Sequence, residues 1–138
     1  MVLHGVTRVL HAPIRVYLIK ENEAGDTILL DELKDYSDAL NTYEFEMLPC
    51  VINGRTFNLM RRAWTTPSLP VTVRSSDKTP IAKGPSMILG YDVEQGHRSL
   101  TDEEVMHIDE SISMTISFRP LTRAHYVVND VSVIEVSE

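Results

Sequence analysis

The order of apolar and polar positions along the chain predicts a protein made mainly of β-strands. In residues 111–118, SISMTISF, apolar and small polar side chains alternate over the whole stretch. Alternation with a period of two places every second side chain on the same face of a strand, so one face of this strand is expected to lie in a core. Similar β-branched, aromatic or alternating patterns occur at 14–20, 43–47, 87–93 and 131–136. Most of the chain is therefore predicted to form sheet.

Two turns between these strands are predicted from their residue types. Asn53 and Gly54 form the strongest hairpin signal, because both accept the positive φ that a type I′ turn requires at its central positions. Strands should flank this pair on both sides. Residues 21–26 contain several turn formers and lie between apolar stretches at 14–20 and 27–30, which indicates a first hairpin.

The segment that carries Leu69, Val71 and Val73 is predicted to be a strand with restricted pairing. Pro70 has no amide hydrogen to donate to a ladder, so this strand should lie at the edge of a sheet or begin only after the proline. An edge strand exposes unpaired backbone groups and can pair with another chain. The polar, turn-rich residues 75–85 that follow are expected to form an exposed loop.

One helix is predicted, at about 101–110. Thr101 and Glu104 have the spacing of a capping box, in which each side chain accepts a hydrogen bond from the backbone amide of the other residue. Leu100 can pack against Val105 as a hydrophobic staple. The helix must end where the alternating strand described above begins.

Length and composition fit a single β-rich domain that spans residues 1–138. Hydrophobic residues make up 43% of the chain and charged residues 24%, which are values typical of globular proteins. Together with the elements above, they predict a mainly β fold: an antiparallel β-sandwich or barrel of about seven or eight strands with one short flanking helix.

The charge of the chain limits its partners. The sequence has 20 acidic and 13 basic residues and a formal net charge of -7. This charge opposes general affinity for nucleic acids and anionic membranes, so direct recognition of a nucleic-acid sequence is not expected. The start of the chain lacks the pattern of a secretion signal, and no apolar run approaches the ~18 residues of a membrane span. We expect a cytoplasmic product with no membrane partner.

The residues that usually carry catalytic or metal chemistry do not form a recognisable motif. Cys50 is the only cysteine, which excludes an intramolecular disulfide and favours a buried thiol over a free thiol or an intermolecular bridge. It has no flanking glycine-rich elbow of the kind that presents a nucleophile. The five histidines lack the spacing of a metal site; they are His4, His11, His97, His107 and His125. No catalytic, cofactor-binding or metal-binding residue is predicted.

Arg61, Arg62 and Trp64 form the most unusual local group, since two cations precede the only tryptophan. Such a group can stack bases and hold phosphates. At a net charge of -7, however, Trp64 is better assigned to a core or a subunit interface, with the two arginines paired to acidic neighbours. The predicted interface residues are Trp64, Leu69, Val71, Val73 and Arg74.

Residues 43–49, YEFEMLP, and 59–70, LMRRAWTTPSLP, resemble segments of tail-tube and baseplate-tube proteins of contractile-tailed phages. In that family a Y/F-x-V/F strand leads to a second segment that ends in a small residue followed by S-L-P. The resemblance implies a β-sandwich or barrel with one helix and a long hairpin. It also implies hexameric rings whose strands join into a continuous inner barrel, without catalysis or a cofactor. Capsid-decorating and head–tail joining proteins are similar in size and β content.

Three functional hypotheses follow. The first is a non-catalytic structural protein that self-assembles into a homo-oligomer, for example a ring, and that contacts other virion proteins after assembly in the cytoplasm. The second is a small acidic binding or inhibitor protein whose negative charge steers it to a basic protein partner. The third is a small enzyme that uses Cys50 or a histidine.

Overall fold

The structure is a computed structural model that describes residues 14–20, 24–30, 33–66, 69–94, 96–117 and 123–134. These residues contain eleven strands and two helices. The strands are β1 (Ile14–Ile19), β2 (Ala24–Leu30), β3 (Phe45–Ile52), β4 (Arg55–Arg62), β5 (Val71–Arg74), β6 (Pro80–Lys83), β7 (Ser86–Asp92), β8 (Gly96–Arg98), β9 (Ile112–Ser117), β10 (Arg123–Val128) and β11 (Val131–Val133). The helices are α1 (Leu33–Leu40) and α2 (Asp102–Asp109). The predicted mainly β class is confirmed, with more strands than expected and a second helix.

The strands form two sheets. The larger sheet has seven strands, six of them in the order β11-β3-β4-β7-β1-β2, and β8 pairs with β7 beyond that path. The smaller sheet has four strands in the order β6-β5-β10-β9. The described pairs are antiparallel except for β5 and β10, which are parallel where Val73 faces Val128. Both sheets are open, as in a sandwich.

Both faces of the larger sheet are covered. The four buried residues of β1 alternate between the two faces of this sheet. Tyr17 and Ile19 belong to an apolar cluster on one face, and Val16 and Leu18 belong to a cluster on the other. The first cluster lies between the two sheets and α2; its other buried members are Cys50, Ile52, Phe57, Leu59, Val73, Ala82, Ile88, Leu100, Ile108, Val128 and Val131. The second lies between the larger sheet and α1. The described part of the fold therefore has three layers.

Helix α1 was not predicted from the sequence. Its buried residues Tyr36 and Leu40 are four positions apart and pack with Met60, Met87 and Leu89 of the larger sheet. With only eight residues, α1 offers two turns of periodicity, which is a weak signal beside the neighbouring strand patterns. Burial of apolar side chains between α1 and the second face of the sheet stabilises this helix.

The hairpin between β3 and β4 is confirmed. Asn53 has a φ of 47° and Gly54 a φ of 86°, the two positive values that a type I′ turn requires. Apart from Gly54 itself and its two chain neighbours, no atom of the described residues lies within 4 Å of the position that a Cβ on Gly54 would occupy. Glycine is therefore required here for the backbone angle and not for close packing. Strand β3 begins at Phe45, two residues later than expected, and the exposed Tyr43 precedes it.

Helix α2 is also confirmed. The Thr101 hydroxyl accepts from the amide of Glu104, and the Glu104 carboxylate accepts from the amide of Thr101, so both halves of the capping box are present. Leu100 is buried in the first cluster, and Val105 packs against that cluster. The helix occupies Asp102–Asp109, within the predicted bounds.

The prediction that β5 lies at a sheet edge is wrong, and the alternative that the strand begins after Pro70 is correct. Strand β5 starts at Val71 and pairs with β6 on one side and β10 on the other. Pro70 takes part in the pairing through its carbonyl oxygen alone, which accepts from the amide of Gly84. Part of the predicted loop at 75–85 is strand β6, which forms the edge instead.

Candidate functional site

A surface groove of about 230 Å³ lies at the open end of the β3–β4 hairpin. Strand pairing places Glu46 opposite Arg61 and Phe45 opposite Arg62 at this end, far from the Asn53-Gly54 turn. Residues 61–65 line one wall and β6 lines the other. We call this feature the cationic groove, for the charges described below.

Arg61 is fixed in the wall of the cationic groove by two contacts. Its Nε donates to Oε1 of Glu46 at 2.8 Å, and its Nη1 donates to the carbonyl oxygen of Ile81 on β6 at 2.5 Å. The ion pair is partly exposed, so its contribution to stability is of the order of 0.2–1 kcal/mol. The contacts instead hold β4 and β6 together and confirm the expectation that Arg61 pairs with an acidic neighbour.

Arg62 keeps more of its charge available. Its Nη1 donates to the carbonyl oxygens of Leu40 and Asn41, at the end of α1, at 3.3 and 3.2 Å. Its guanidinium carbon lies 5.4 Å from the centroid of the Trp64 ring, a cation–π distance. Its Nε is buried and has no hydrogen-bond partner, and no carboxylate of the described ranges forms an ion pair with this side chain.

Trp64 provides the apolar surface of the cationic groove. It follows β4, where the amide of Ala63 still donates to the carbonyl of Glu44 and so extends the hairpin by one residue. Half of the Trp64 surface is exposed, which excludes the predicted role in a core. A solvent-exposed indole ring beside cations can offer a ligand both a flat apolar surface and an N–H donor.

The cationic groove has a charge opposite to that of the whole chain. Arg61, Arg62 and Lys83 line it, against a single carboxylate, Glu46. The formal charge of the chain is -7. Among the described residues, the lining contains no histidine, no cysteine and no second carboxylate beside Glu46. These side chains can contact a ligand that combines negative charge with an apolar group.

The structure separates the five predicted interface residues. Trp64 lines the cationic groove. Val73 has no exposed surface and packs between the sheets, so it is not accessible to a partner. Arg74 is half-buried and its Nε donates to Oδ1 of Asn129 at 2.6 Å. Leu69 and Val71 are half-buried.

Sequence reasoning missed Glu46 and Lys83 as members of the cationic groove. Glu46 could have been found from the turn at 53–54. In a hairpin with a two-residue turn, residues at equal distances before and after the turn face each other, so Glu46 pairs with Arg61. Lys83 could not have been found, since the position of β6 beside β4 is a tertiary contact between distant parts of the chain.

Cys50 is buried, as predicted. It has no exposed surface in the core between the sheets, and burial raises the pKa of its thiol to about 12. A thiolate is the reactive form of cysteine, so this residue is poorly suited to act as a nucleophile at neutral pH.

The histidines are scattered. Nε2 of His107 lies 2.7 Å from the carbonyl oxygen of Ile52, and its ring stacks on Phe57 with centroids 5.9 Å apart. Burial lowers the pKa of His97, and His125 is buried on β10. His4 and His11 lie outside the described residues. Among the described residues, no group of three or more histidine, cysteine, aspartate or glutamate side chains could hold a metal ion.

A bidentate charge pair joins Arg98 of β8 to Glu104 of α2. Nη1 and Nη2 of Arg98 donate to the two carboxylate oxygens, each at 2.7 Å, and Nη2 of Arg55 lies 3.9 Å from Oε2. Burial raises the pKa of Glu104, but the hydrogen bonds from Arg98 and the Thr101 amide outweigh it, so the net pKa is below the ordinary value. The pair attaches α2 to the larger sheet.

Comparisons with protein-family models, curated proteins and solved structures gave no match for this chain. None of the described helices combines the length and apolar character needed to cross a membrane.

Proposed function

We propose that this chain is a non-catalytic structural protein that self-assembles into a homo-oligomer through the cationic groove. The observation that carries the proposal is the half-exposed Trp64 beside Arg62, in a groove that Arg61 and Lys83 also line, in a chain with a net charge of -7. A groove of this kind fits an acidic protein surface with an apolar centre. A second copy of the same acidic chain is the partner that is always present.

Further apolar groups are available to such contacts. Tyr43 and Met47 are exposed at the same end of the β3–β4 hairpin as Trp64, and Met106 and Met114 are exposed elsewhere. Single exposed apolar side chains are common on monomers, but an aromatic side chain in a groove is typical of interface anchors. Tyr43 and Met47 support the proposal by adding apolar area at the groove end of the hairpin.

The setting proposed for this assembly is a virion of a phage. The chain would act as a tail-tube-like subunit, or as a capsid-decorating or head–tail joining protein, which assembles in the cytoplasm and then contacts other virion proteins. The two-sheet fold and the long β3–β4 hairpin, with eight residues in each strand, support the tube-like form. Neither a cofactor nor a catalytic residue has a part in this function.

The test is the mass of the protein in solution, measured by light scattering over a hundredfold range of concentration, with electron microscopy of the largest species. The proposal predicts that the mass rises to a defined multiple of the 15.6 kDa chain and that rings or tubes are seen. A strict monomer over the whole range would refute it.

A second function, an acidic protein that binds a basic partner, is favoured by one observation. Glu103 and Glu110 are exposed on α2 beside the exposed Met106, which gives this helix an acidic surface with an apolar centre. A monomer that binds a basic protein, and releases it as salt is added, would support this function in place of self-assembly.

A further inference from the structure

The outer face of α2 is acidic around one apolar side chain. The exposed residues of the helix and its C-cap are spaced so that they share this face; they are Asp102, Glu103, Met106, Asp109 and Glu110. Glu104 and Ile108 point the other way and are buried. Met106, with 63% of its surface exposed, lies in the middle of four carboxylates.

Two of these carboxylates have partners within the chain and two do not. Asp102 pairs with Arg15, and Asp109 accepts from the hydroxyl of Tyr17. Glu103 and Glu110 have no side-chain partner in the described ranges, so their charges face solvent. The face therefore presents two available negative charges on either side of a flexible, polarisable methionine.

This acidic face complements the cationic groove in both charge and apolar character. The groove offers the Trp64 ring beside Arg62 and Lys83, and the helix offers Met106 between Glu103 and Glu110. Methionine sulfur makes favourable contacts with aromatic rings. Opposite charges attract each other more strongly as an interface excludes water, which offsets part of the cost of removing their hydration and orients the two surfaces.

We propose that α2 of one copy docks into the cationic groove of the next copy, with Met106 against Trp64 and with Glu103 and Glu110 near Arg62 and Lys83. This inference rests on the proposed self-assembly and names the two surfaces that carry it.

The two surfaces lie at opposite ends of one hairpin, which sets the kind of assembly. Helix α2 contacts the turn end, where His107 meets Ile52 and Glu104 lies near Arg55. The cationic groove lies at the other end of β4, beyond Arg62. Eight strand residues span roughly 23 Å at about 3.3 Å per residue. Different surfaces of the same chain would therefore meet head to tail, and such contacts give rings or open filaments instead of two-fold dimers.

A charge exchange between the two surfaces tests the inference. The groove variant is Lys83→Glu, and the helix variant is the double substitution Glu103→Lys and Glu110→Lys. Each variant alone brings like charges together, so its self-association should weaken at least tenfold relative to the native chain. Lys78→Glu, an exposed reversal of the same sign in the loop before β6, is the control and should associate normally.

An equimolar mixture of the two variants is the decisive sample. In the mixture, the Lys83→Glu groove, which then carries two cations and two carboxylates, meets the basic helix, and the native groove meets the native acidic helix. Association should therefore recover at least severalfold relative to either variant alone, with alternating copies. Circular dichroism and thermal melting verify that each variant is folded. Met106→Lys, at an exposed position, provides an independent variant that should weaken association at least tenfold without a change in stability.

The outcomes separate this inference from the proposed function. If the native chain associates and all the groove and helix variants associate equally well, the docking of α2 is refuted while self-assembly stands. If the single variants are weakened and their mixture does not recover, the pairing of these two surfaces is also refuted. If the native chain is monomeric at every concentration, the proposed function fails and this inference fails with it.

Discussion

Loss of the Glu104 carboxylate should be the most destabilising change of a single charge in the described chain. Glu104 is 1% exposed and accepts both Arg98 hydrogen bonds and the amide of Thr101. The substitution Glu104→Ala removes all three bonds together. It also leaves the guanidinium of Arg98 beside that of Arg55 without the carboxylate that lies between them.

The size of the effect follows from these contacts. Removal of one partner of a buried ion pair costs about 3–5 kcal/mol. The Arg98 side chain is 36% exposed, so water can solvate part of the charge that remains, which places the expected loss near 3 kcal/mol. The lost capping-box bond adds about 0.5–1 kcal/mol, and we expect a total decrease of roughly 3–4 kcal/mol in the free energy of unfolding.

Urea unfolding followed by circular dichroism measures this change, with the midpoint shifted and the slope unchanged. Glu103→Ala is the matched control, because Glu103 carries the same charge in the same helical turn but is exposed. Its loss should cost no more than about 1 kcal/mol, through the helix dipole. Equal effects of the two substitutions would refute the structural role assigned to the Arg98–Glu104 pair.

Three further changes test other parts of the structure. Because the folded pKa of Glu104 lies below its ordinary value of 4.5, the stability from its contacts is present above pH 4.5 and lost as pH falls through the folded pKa. Acid titration should therefore destabilise the native chain more than Glu104→Gln; equal losses would contradict this. Gly90→Ala would place a Cβ 2.9 Å from the Arg98 carbonyl oxygen, so urea unfolding should show a loss of about 1–3 kcal/mol, and a neutral effect would contradict the close packing. The Cys50 thiol should react with a labelling reagent only after unfolding; rapid labelling of the folded chain would show that it is not buried.

Local signals predicted the elements that local residues determine. The Asn53-Gly54 turn and the Thr101–Glu104 capping box each depend on backbone angles and hydrogen bonds within a few residues, and both occur as expected. The sequence also indicated the buried thiol of Cys50. The turn and the capping box need no knowledge of which distant segments meet.

Features that depend on distant segments were not predicted. Pro70 left two alternatives for β5, a position at a sheet edge or a start after the proline; the strand starts at Val71, and β6 and β10 flank it. Lys83 was assigned to a loop, although β6 carries it to the cationic groove. Val73 was expected at an interface, but its side chain packs in the core between the two sheets. Alternation shows that a strand has two faces, but not which neighbours cover each face.

The fluorescence of Trp64 tests the central claim most directly, because it is the only tryptophan in the chain and it lines the cationic groove. In the dilute monomer its half-exposed ring should emit at long wavelength and be quenched readily by acrylamide. If a second copy covers the groove, the emission should shift to shorter wavelength and quenching should fall at the concentration where the mass rises. Emission and quenching that stay constant while the mass rises would show that the copies associate elsewhere.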